Sequence, residues 1–228
     1  DVSLVGSEMC IRDRAWTTTP WSLPGNFWLA VGPDIAYVRV QEKDDDKQYI
    51  LAERLVEKVF KDREYDVIGS VDPHDLVGKH YEPLFPYFVD RIDPATEGTS
   101  NPQTFADRVF KIVMHDAVEV SDADGTGIVH ITSCLGEDSH AVAKIEGIGV
   151  DHHLGIDGVF YDFVTDFAGM KAKPEEGDPM ATDKTIIANM KERGRCFDSY
   201  TYTHSYPHCW RCDTPLLNYA TSSWFVAV

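Results

Sequence analysis

The run Trp16-Thr17-Thr18-Thr19-Pro20-Trp21-Ser22-Leu23-Pro24-Gly25-Asn26 limits what this chain can become more than any other stretch. Threonine favours extended backbone, but a strand sends successive side chains to opposite faces. Three adjacent hydroxyls therefore cannot all serve one face of a sheet. Pro20 and Pro24 fix φ and lack a donor N–H, so the run cannot continue as a central strand. The sequence predicts a strand end that turns into a stiff, hydroxyl-edged loop, able to bind a polar ligand or hold a water. β-Propensity and turn hydrogen bonds are the structural alternative for the same threonines.

Composition narrows the classes. The 228 residues suffice for one large domain, or one domain and part of another, and 43% hydrophobic content supplies a core. No apolar run reaches membrane-spanning length and no secretory signal opens the chain, so no membrane partner is expected. Five cysteines (Cys10, Cys134, Cys196, Cys209 and Cys212) form no disulfide framework, which points to a reducing, cytoplasmic setting. A net charge of −17 opposes binding along a nucleic-acid backbone and excludes a DNA-binding class. Any RNA contact should be small, such as a terminal nucleotide entering a pocket. The acidic run 42–47 reads as a solvated loop.

Strands are expected at Phe27 to Val31, Ala36 to Val40, Tyr65 to Ser70, Phe110 to His115, Ala117 to Val120 and Ile128 to Thr132, with an apolar stretch beginning at Ile50. Turns fall at 32–34 and 122–125, and loops at 72–75 and 90–103. Helical spacing marks Glu53 to Lys61, Ser139 to Gly147 and Thr182 to Arg193, the last with Thr182 as N-cap and Gly194 as stop. Many short strands with few helices predict a closed or nearly closed sheet, in an α+β class.

Three motifs occur in a fixed order. The threonine run comes first. Gly125-Thr126-Gly127-Ile128-Val129-His130 follows, with Gly136-Glu137-Asp138. The last is His204-Ser205-Tyr206-Pro207-His208-Cys209-Trp210-Arg211-Cys212-Asp213-Thr214-Pro215-Leu216, running into Ala220 to Val226. Together they resemble the editing region of isoleucyl-tRNA synthetases from about Ala15 onward, and Tyr81 to Val89 is similar to that family's Pro-Leu-Phe-Pro-Tyr segment. Valyl and leucyl relatives usually carry arginine where this chain has Thr19, so Thr19-Pro20-Trp21 favours the isoleucyl branch.

The resemblance implies a β-barrel editing domain over residues 15–205, inserted in a class I, Rossmann-type synthetase. It implies a return toward the catalytic domain over 206–228. Residues 1–14 depart from the family, which has an apolar strand where Arg12-Asp13-Arg14 stands, and are expected to be a foreign or artefactual segment. The implied activity is hydrolysis of valine from the 3′ end of tRNA(Ile). The parent enzyme would attach isoleucine using ATP and Mg, neither bound by this stretch, which lacks the nucleotide-binding signatures. The implied partners are that tRNA end and the rest of the synthetase chain.

By the same resemblance, Thr17, Thr18 and Thr19 position a hydrolytic water and the terminal adenosine, and Trp16 and Asn26 contact substrate. His130 limits amino-acid size in a shared hollow; a buried histidine satisfied by backbone is the structural alternative. Trp224 lines an amino-acid pocket or packs a core. The family's aspartate, nine residues after the histidine, is Ser139 here, so Asp138 is the candidate for the substrate's α-ammonium group. One step along a helix rotates a side chain by about 100°. Cys209 and Cys212 make half of a tetrahedral zinc site, with Cys196 and His208 as opportunistic ligands and Cys134 as a core residue. Asp151-His152-His153 spells a phosphoesterase signature without its companion motifs, and reads as loop. Editing by a valyl- or leucyl-type synthetase, or a non-catalytic tRNA-end-binding module, are the competing readings.

Overall fold

Alternation of apolar side chains decides where the strands lie. The computed structural model describes residues 2–5, 11–43, 47–91, 93, 97–116, 118, 125–201 and 205–221. Among these residues eight strands form: β1 (Val2–Val5), β2 (Ile11–Ala15), β3 (Trp28–Val31), β4 (Tyr37–Glu42), β5 (Gln48–Ala52), β6 (Tyr65–Val71), β7 (Lys111–Met114) and β8 (Ile128–Ile131). One sheet has the order β1-β2-β5-β4-β6 and the other β7-β3-β8. The β2–β5 and β3–β7 pairings are parallel and the rest antiparallel.

The period of two is visible in β5. Ile50 and Ala52 enter the main core, while Tyr49 and Leu51 face a smaller cluster with Val38, Val40, Val56 and Phe60. β3 is buried along its whole length, as a strand covered on both faces must be. Phe27 anchors the main core, with Phe88 and Phe105 rings 4.8 and 5.1 Å from its own. The chain crosses from one sheet to the other immediately before the threonines. Ala15 ends β2, and Trp16 already bridges to Val129 in β8. The Ala52 N–H donates to the Thr126 carbonyl at the same corner.

The sheet does not close into a barrel among the described residues. β6 pairs only with β4 and is exposed over most of its length, so the expected closed or nearly closed sheet is corrected to two small sheets meeting at a corner. Residues 2–5 and 11–15 pair by backbone within the five-stranded sheet.

The four α-helices among the described residues are α1 (Val56–Val59), α2 (Pro73–Leu76), α3 (Glu137–Ile145) and α4 (Ala181–Glu192). The expected helix Glu53 to Lys61 splits into a 3₁₀ turn, Glu53–Leu55, and the short α1, enough to cover the smaller cluster. The expected loop at 72–75 is instead the start of α2. Asp72 accepts the His74 N–H at 2.8 Å and Pro73 occupies the first helical position, a start signal the sequence reading passed over. Thr182 is not an N-cap. It lies inside the first turn of α4, and its hydroxyl donates to the Lys171 carbonyl at 2.7 Å. Gly194 does end α4: at φ +66° it donates to Lys191, and Arg195 donates to Met190, a Schellman closure. Most of the expected strand at 117–120 and turn at 122–125 lie outside the described residues, as does Trp224 with 222–228.

Candidate active site

After Thr19 the chain turns through a 3₁₀ helix, Pro20–Gly25, whose six residues are all buried. Proline at its first position suits the fixed φ. The turn brings Ser22 back under Thr19, whose carbonyl accepts both the Ser22 N–H at 2.9 Å and the Ser22 hydroxyl at 2.7 Å.

From Ser22 a hydrogen-bond chain runs to β8. Ser22 Oγ lies 3.1 Å from His130 Nε2, and Asn26 Nδ2 lies 2.8 Å from His130 Nδ1. Asn26 Nδ2 also donates to the Trp28 carbonyl at 3.1 Å, while Asn26 Oδ1 accepts from the Tyr81 hydroxyl at 2.7 Å. These contacts fix every direction. The Trp28 carbonyl can only accept, so the amide nitrogen faces both it and His130. His130 Nδ1 therefore accepts, and Nε2 carries the proton and donates to Ser22. Thr19 Oγ1 sits 3.1 Å from Ser22 Oγ and 3.4 Å from Thr17 Oγ1, and the Thr19 N–H donates to Thr17 Oγ1 at 3.0 Å.

Burial and this wiring act together on His130. Protonation would turn Nδ1 into a donor facing an amide NH₂. Desolvation already pushes its pKa down to about 4, against a smaller opposing effect of the Ser22 contact. The ring is neutral at physiological pH, with both nitrogens engaged. Neither ring nitrogen is left free within the chain.

Thr18 differs from its neighbours. Among the described residues its hydroxyl has no partner within the chain, and it lines an open groove of about 1280 Å³ with Trp16 and Thr17. The groove is also lined by Lys173 and Asp183, Ile187 of α4, and Cys196, Tyr206 and Cys212. The expectation of one hollow shared by His130 and the threonines needs correction. His130 is joined to them through Ser22, but neither it nor Thr19 is among the residues lining the groove. Asn26 is likewise buried, its amide spent on His130, Trp28 and Tyr81, and stands behind the site instead of on its surface.

Asp138 is not brought to the threonines. It is exposed in the first turn of α3 and makes no hydrogen bond or ion pair among the described residues, whereas Ser139 is buried. The one-residue shift has left the carboxylate on the solvent side, as rotation about a helix axis requires.

Cys209 and Cys212 face one another across a tight loop in which the Cys209 N–H donates to Thr214 and the Asp213 N–H donates to Cys209. The Thr214 hydroxyl lies 3.1 Å from Cys212 Sγ and holds that thiol below the usual cysteine range. No group of three or more His, Cys, Asp or Glu able to hold a metal occurs among the described residues. Two thiols fall short of a tetrahedral zinc site, so this donor set does not by itself fit the metal. Cys196 is half-buried on the groove, and its thiol donates to the Asp198 carbonyl. Cys134 is core, its thiol pushed up to about 12 by burial. Residues 151–153 are irregular; His152 stacks on Tyr219 at 3.8 Å and His153 is fully buried.

Sequence reasoning missed Ser22 and Tyr81, which carry the polar chain, and the buried pair Lys173–Asp183. Ser22 stands three residues after Thr19, the spacing of one 3₁₀ turn, and so had a local signal. Tyr81 lies 55 residues from Asn26, and Asp183 lies 162 residues from Trp21, whose N–H it accepts, so neither contact had a local signal.

No protein-family profile matches the chain. It is 44% identical over 216 residues to the isoleucine--tRNA ligase of Bdellovibrio bacteriovorus, covering 94% of this chain and 18% of that protein. Identity is 40% over 212 residues to the isoleucine--tRNA ligase of Clostridium tetani, covering 93% and 18%. With the cytoplasmic isoleucine--tRNA ligase of Schizosaccharomyces pombe it is 38% over 222 residues, covering 94% and 19%. The chain thus spans under a fifth of the length of these curated relatives. Its fold is similar to the crystal structure of GlLeuRS-CP1 (TM-score 0.57, 13% identity, 85% of each chain). It is also similar to the Plasmodium knowlesi cytosolic leucyl-tRNA synthetase editing domain (TM-score 0.52, 10% identity, 85% of this chain and 93% of that one).

Proposed function

We propose that this chain, which belongs to the isoleucine--tRNA ligase family and has the fold of a synthetase editing domain, hydrolyses the ester that joins valine to the 3′ end of tRNA(Ile). The carrying observation is the threonine turn: one hydroxyl, that of Thr18, left free on a groove while its neighbours are tied back to Ser22 and His130.

The chemistry follows from what the turn can and cannot do. Water attacks the ester carbonyl carbon, the bond to the ribose oxygen breaks, and free valine and a 3′-hydroxyl leave. No side chain on the threonine run is a strong base. Thr18 therefore holds the attacking water or the developing oxyanion, and the rate comes from position and preorganised hydrogen bonding. Trp16 supplies an aromatic wall against which the terminal adenine stacks. His130, neutral and held on both nitrogens, fixes the turn from behind, so that isoleucine is refused through the position it gives the turn and not by direct contact. A synthetic site separates substrates differing by one methylene only about 10–200-fold, the problem for which isoleucyl-tRNA synthetase is the standard illustration, and a second site hydrolyses what the first lets through.

The wider assignment is proposed with it. Residues 15–205 form the editing domain and 206–228 the return toward a catalytic domain that charges isoleucine with ATP and Mg in the cytoplasm. Residues 1–14 are assigned as a foreign segment on the charged run Arg12-Asp13-Arg14, and the pairing at 2–5 and 11–15 is by backbone. Zinc would require a second cysteine pair from outside this chain. One observation supports a second reading: with Asp138 on the solvent side and Ser139 in the aspartate's place, the groove would hold a tRNA end without turnover. Incubating the chain with valyl-tRNA(Ile) while following both complex formation and ester loss separates the two. Ester loss supports hydrolysis; a stable complex with intact ester supports the binding module.

A further inference from the structure

The peptide of Trp21 is gripped at both ends by side chains from distant parts of the chain. Its N–H donates to Asp183 Oδ1 at 3.1 Å, and its carbonyl accepts from His153 Nε2 at 3.2 Å. Both partners are completely buried. Asp183 stands in the first turn of α4, and its second oxygen is held by Lys173 Nζ at 2.6 Å. The adjacent Thr182 hydroxyl ties α4 to the carbonyl of Lys171. His153 faces a carbonyl, so Nε2 carries its proton, and Nδ1 is left without a partner. Gly25, at the other end of the turn, makes room for that ring: a Cβ there would lie 2.1 Å from His153 Nδ1.

A buried aspartate–lysine pair is costly to assemble and a weak source of stability. Here it presents one fixed acceptor to one backbone N–H. Trp21 lies between Thr19 and Ser22, the two residues through which the threonines reach His130. Rotating the Trp21 peptide would move Ser22 Oγ away from His130 Nε2 and release Thr19.

We propose that Asp183 and His153 are positioning residues for ester hydrolysis, clamping the Trp21 peptide so that the threonine turn holds one orientation. This rests on the hydrolytic reading of the threonine groove. The clamp acts through the turn, so its loss lowers turnover and leaves substrate affinity largely alone.

Asp183→Asn and Asp183→Leu test it as a pair. Both remove the charge opposite Lys173, but only asparagine keeps an acceptor for the Trp21 N–H. The expected result for valyl-tRNA(Ile) deacylation is a kcat at least tenfold lower in Asp183→Leu than in Asp183→Asn, with KM within twofold and melting temperatures matched. His153→Gln and His153→Leu form the second arm, glutamine retaining a donor toward the Trp21 carbonyl, with the same ordering expected. Equal kcat within each pair overturns the proposal. Amide hydrogen exchange in the same variants gives a readout independent of activity. The Trp21 and Ser22 amides should exchange at least tenfold faster in the leucine variants than in their polar counterparts. Unchanged exchange also overturns it, and does so whether or not the chain hydrolyses an ester. An inactive wild type with the expected exchange pattern would instead contradict the hydrolytic reading and leave the clamp standing.

Discussion

The threonine turn and the first turn of α3 were both expected to carry the site, and they have opposite characters. Behind the threonine turn, a buried chain from Tyr81 through Asn26, His130 and Ser22 to Thr19 gives each of its own donors an acceptor of fixed direction. At α3, the carboxylate that should complete the site stands in solvent with no partner among the described residues, and a buried serine takes the inward position. A polar network survives burial only when all its members are satisfied, so its residues are held to their places. An exposed carboxylate in a first helical turn is favoured by the helix dipole alone and carries no such constraint.

The largest effects should come from the threonine turn. Replacing Thr17, Thr18 and Thr19 together by alanine removes the groove's hydroxyl edge. Deacylation of valyl-tRNA(Ile) should fall by about 10²–10³-fold, as for loss of an oxyanion donor, with the circular-dichroism spectrum unchanged. Thr18→Ala alone should account for most of that loss, since the Thr17 and Thr19 hydroxyls are already engaged in hydrogen bonds within the turn. His130→Ala comes next. It opens space behind the turn, and the preference for valyl over isoleucyl ester should drop by about tenfold or more in a paired deacylation assay.

Stability effects are smaller and test the wiring itself. Asn26→Ala strands His130 Nδ1 and the Tyr81 hydroxyl, and should cost about 1–3 kcal/mol in urea unfolding, the range for an unsatisfied buried group. The two buried histidines give the network a pH signature. Burial depresses His130 to about 4 and His153 to about 3, below the ordinary 6.5. The unfolded chain takes up protons below about 6.5 that the folded chain refuses. Stability is therefore full above that pH and declines as pH falls through 6.5 toward 4 and then 3. Urea midpoints measured from pH 7 to pH 4.5 should fall accordingly, and His153→Gln should flatten the slope. The smallest effect is at α3: Asp138→Ala should change deacylation by no more than about twofold, because a surface charge contributes little. A tenfold loss there would erase the contrast between the two regions.

What the sequence revealed follows the same division. Trp16 to Asn26 and the strand carrying His130 were legible because each is a local pattern: proline after threonine, glycine before an apolar alternation. Their connection was partly legible, since the motifs occur together, but Ser22 as the joint depends on a 3₁₀ turn, and Tyr81 on a contact 55 residues away. Helix ends marked by glycine were placed correctly at Gly194 and Gly147, where positive φ demands that residue. Thr182 misled because a tertiary acceptor, the Lys171 carbonyl, outbid the local cap. Closure of the sheet was not legible, because strand count and length say nothing about whether edge strands such as β6 find a second partner. The position of Asp138 was uncertain for a physical reason: a single step on a helix decides between core and solvent.

One measurement bears most directly on the claim that this groove selects and cleaves the smaller aliphatic ester. The chain would be mixed, under single-turnover conditions, with valyl-tRNA(Ile) and isoleucyl-tRNA(Ile) in parallel, and ester loss followed for each. The account predicts rapid loss of the valyl ester, with the isoleucyl ester decaying at the spontaneous rate. Equal rates for the two, or no loss of either, would contradict it.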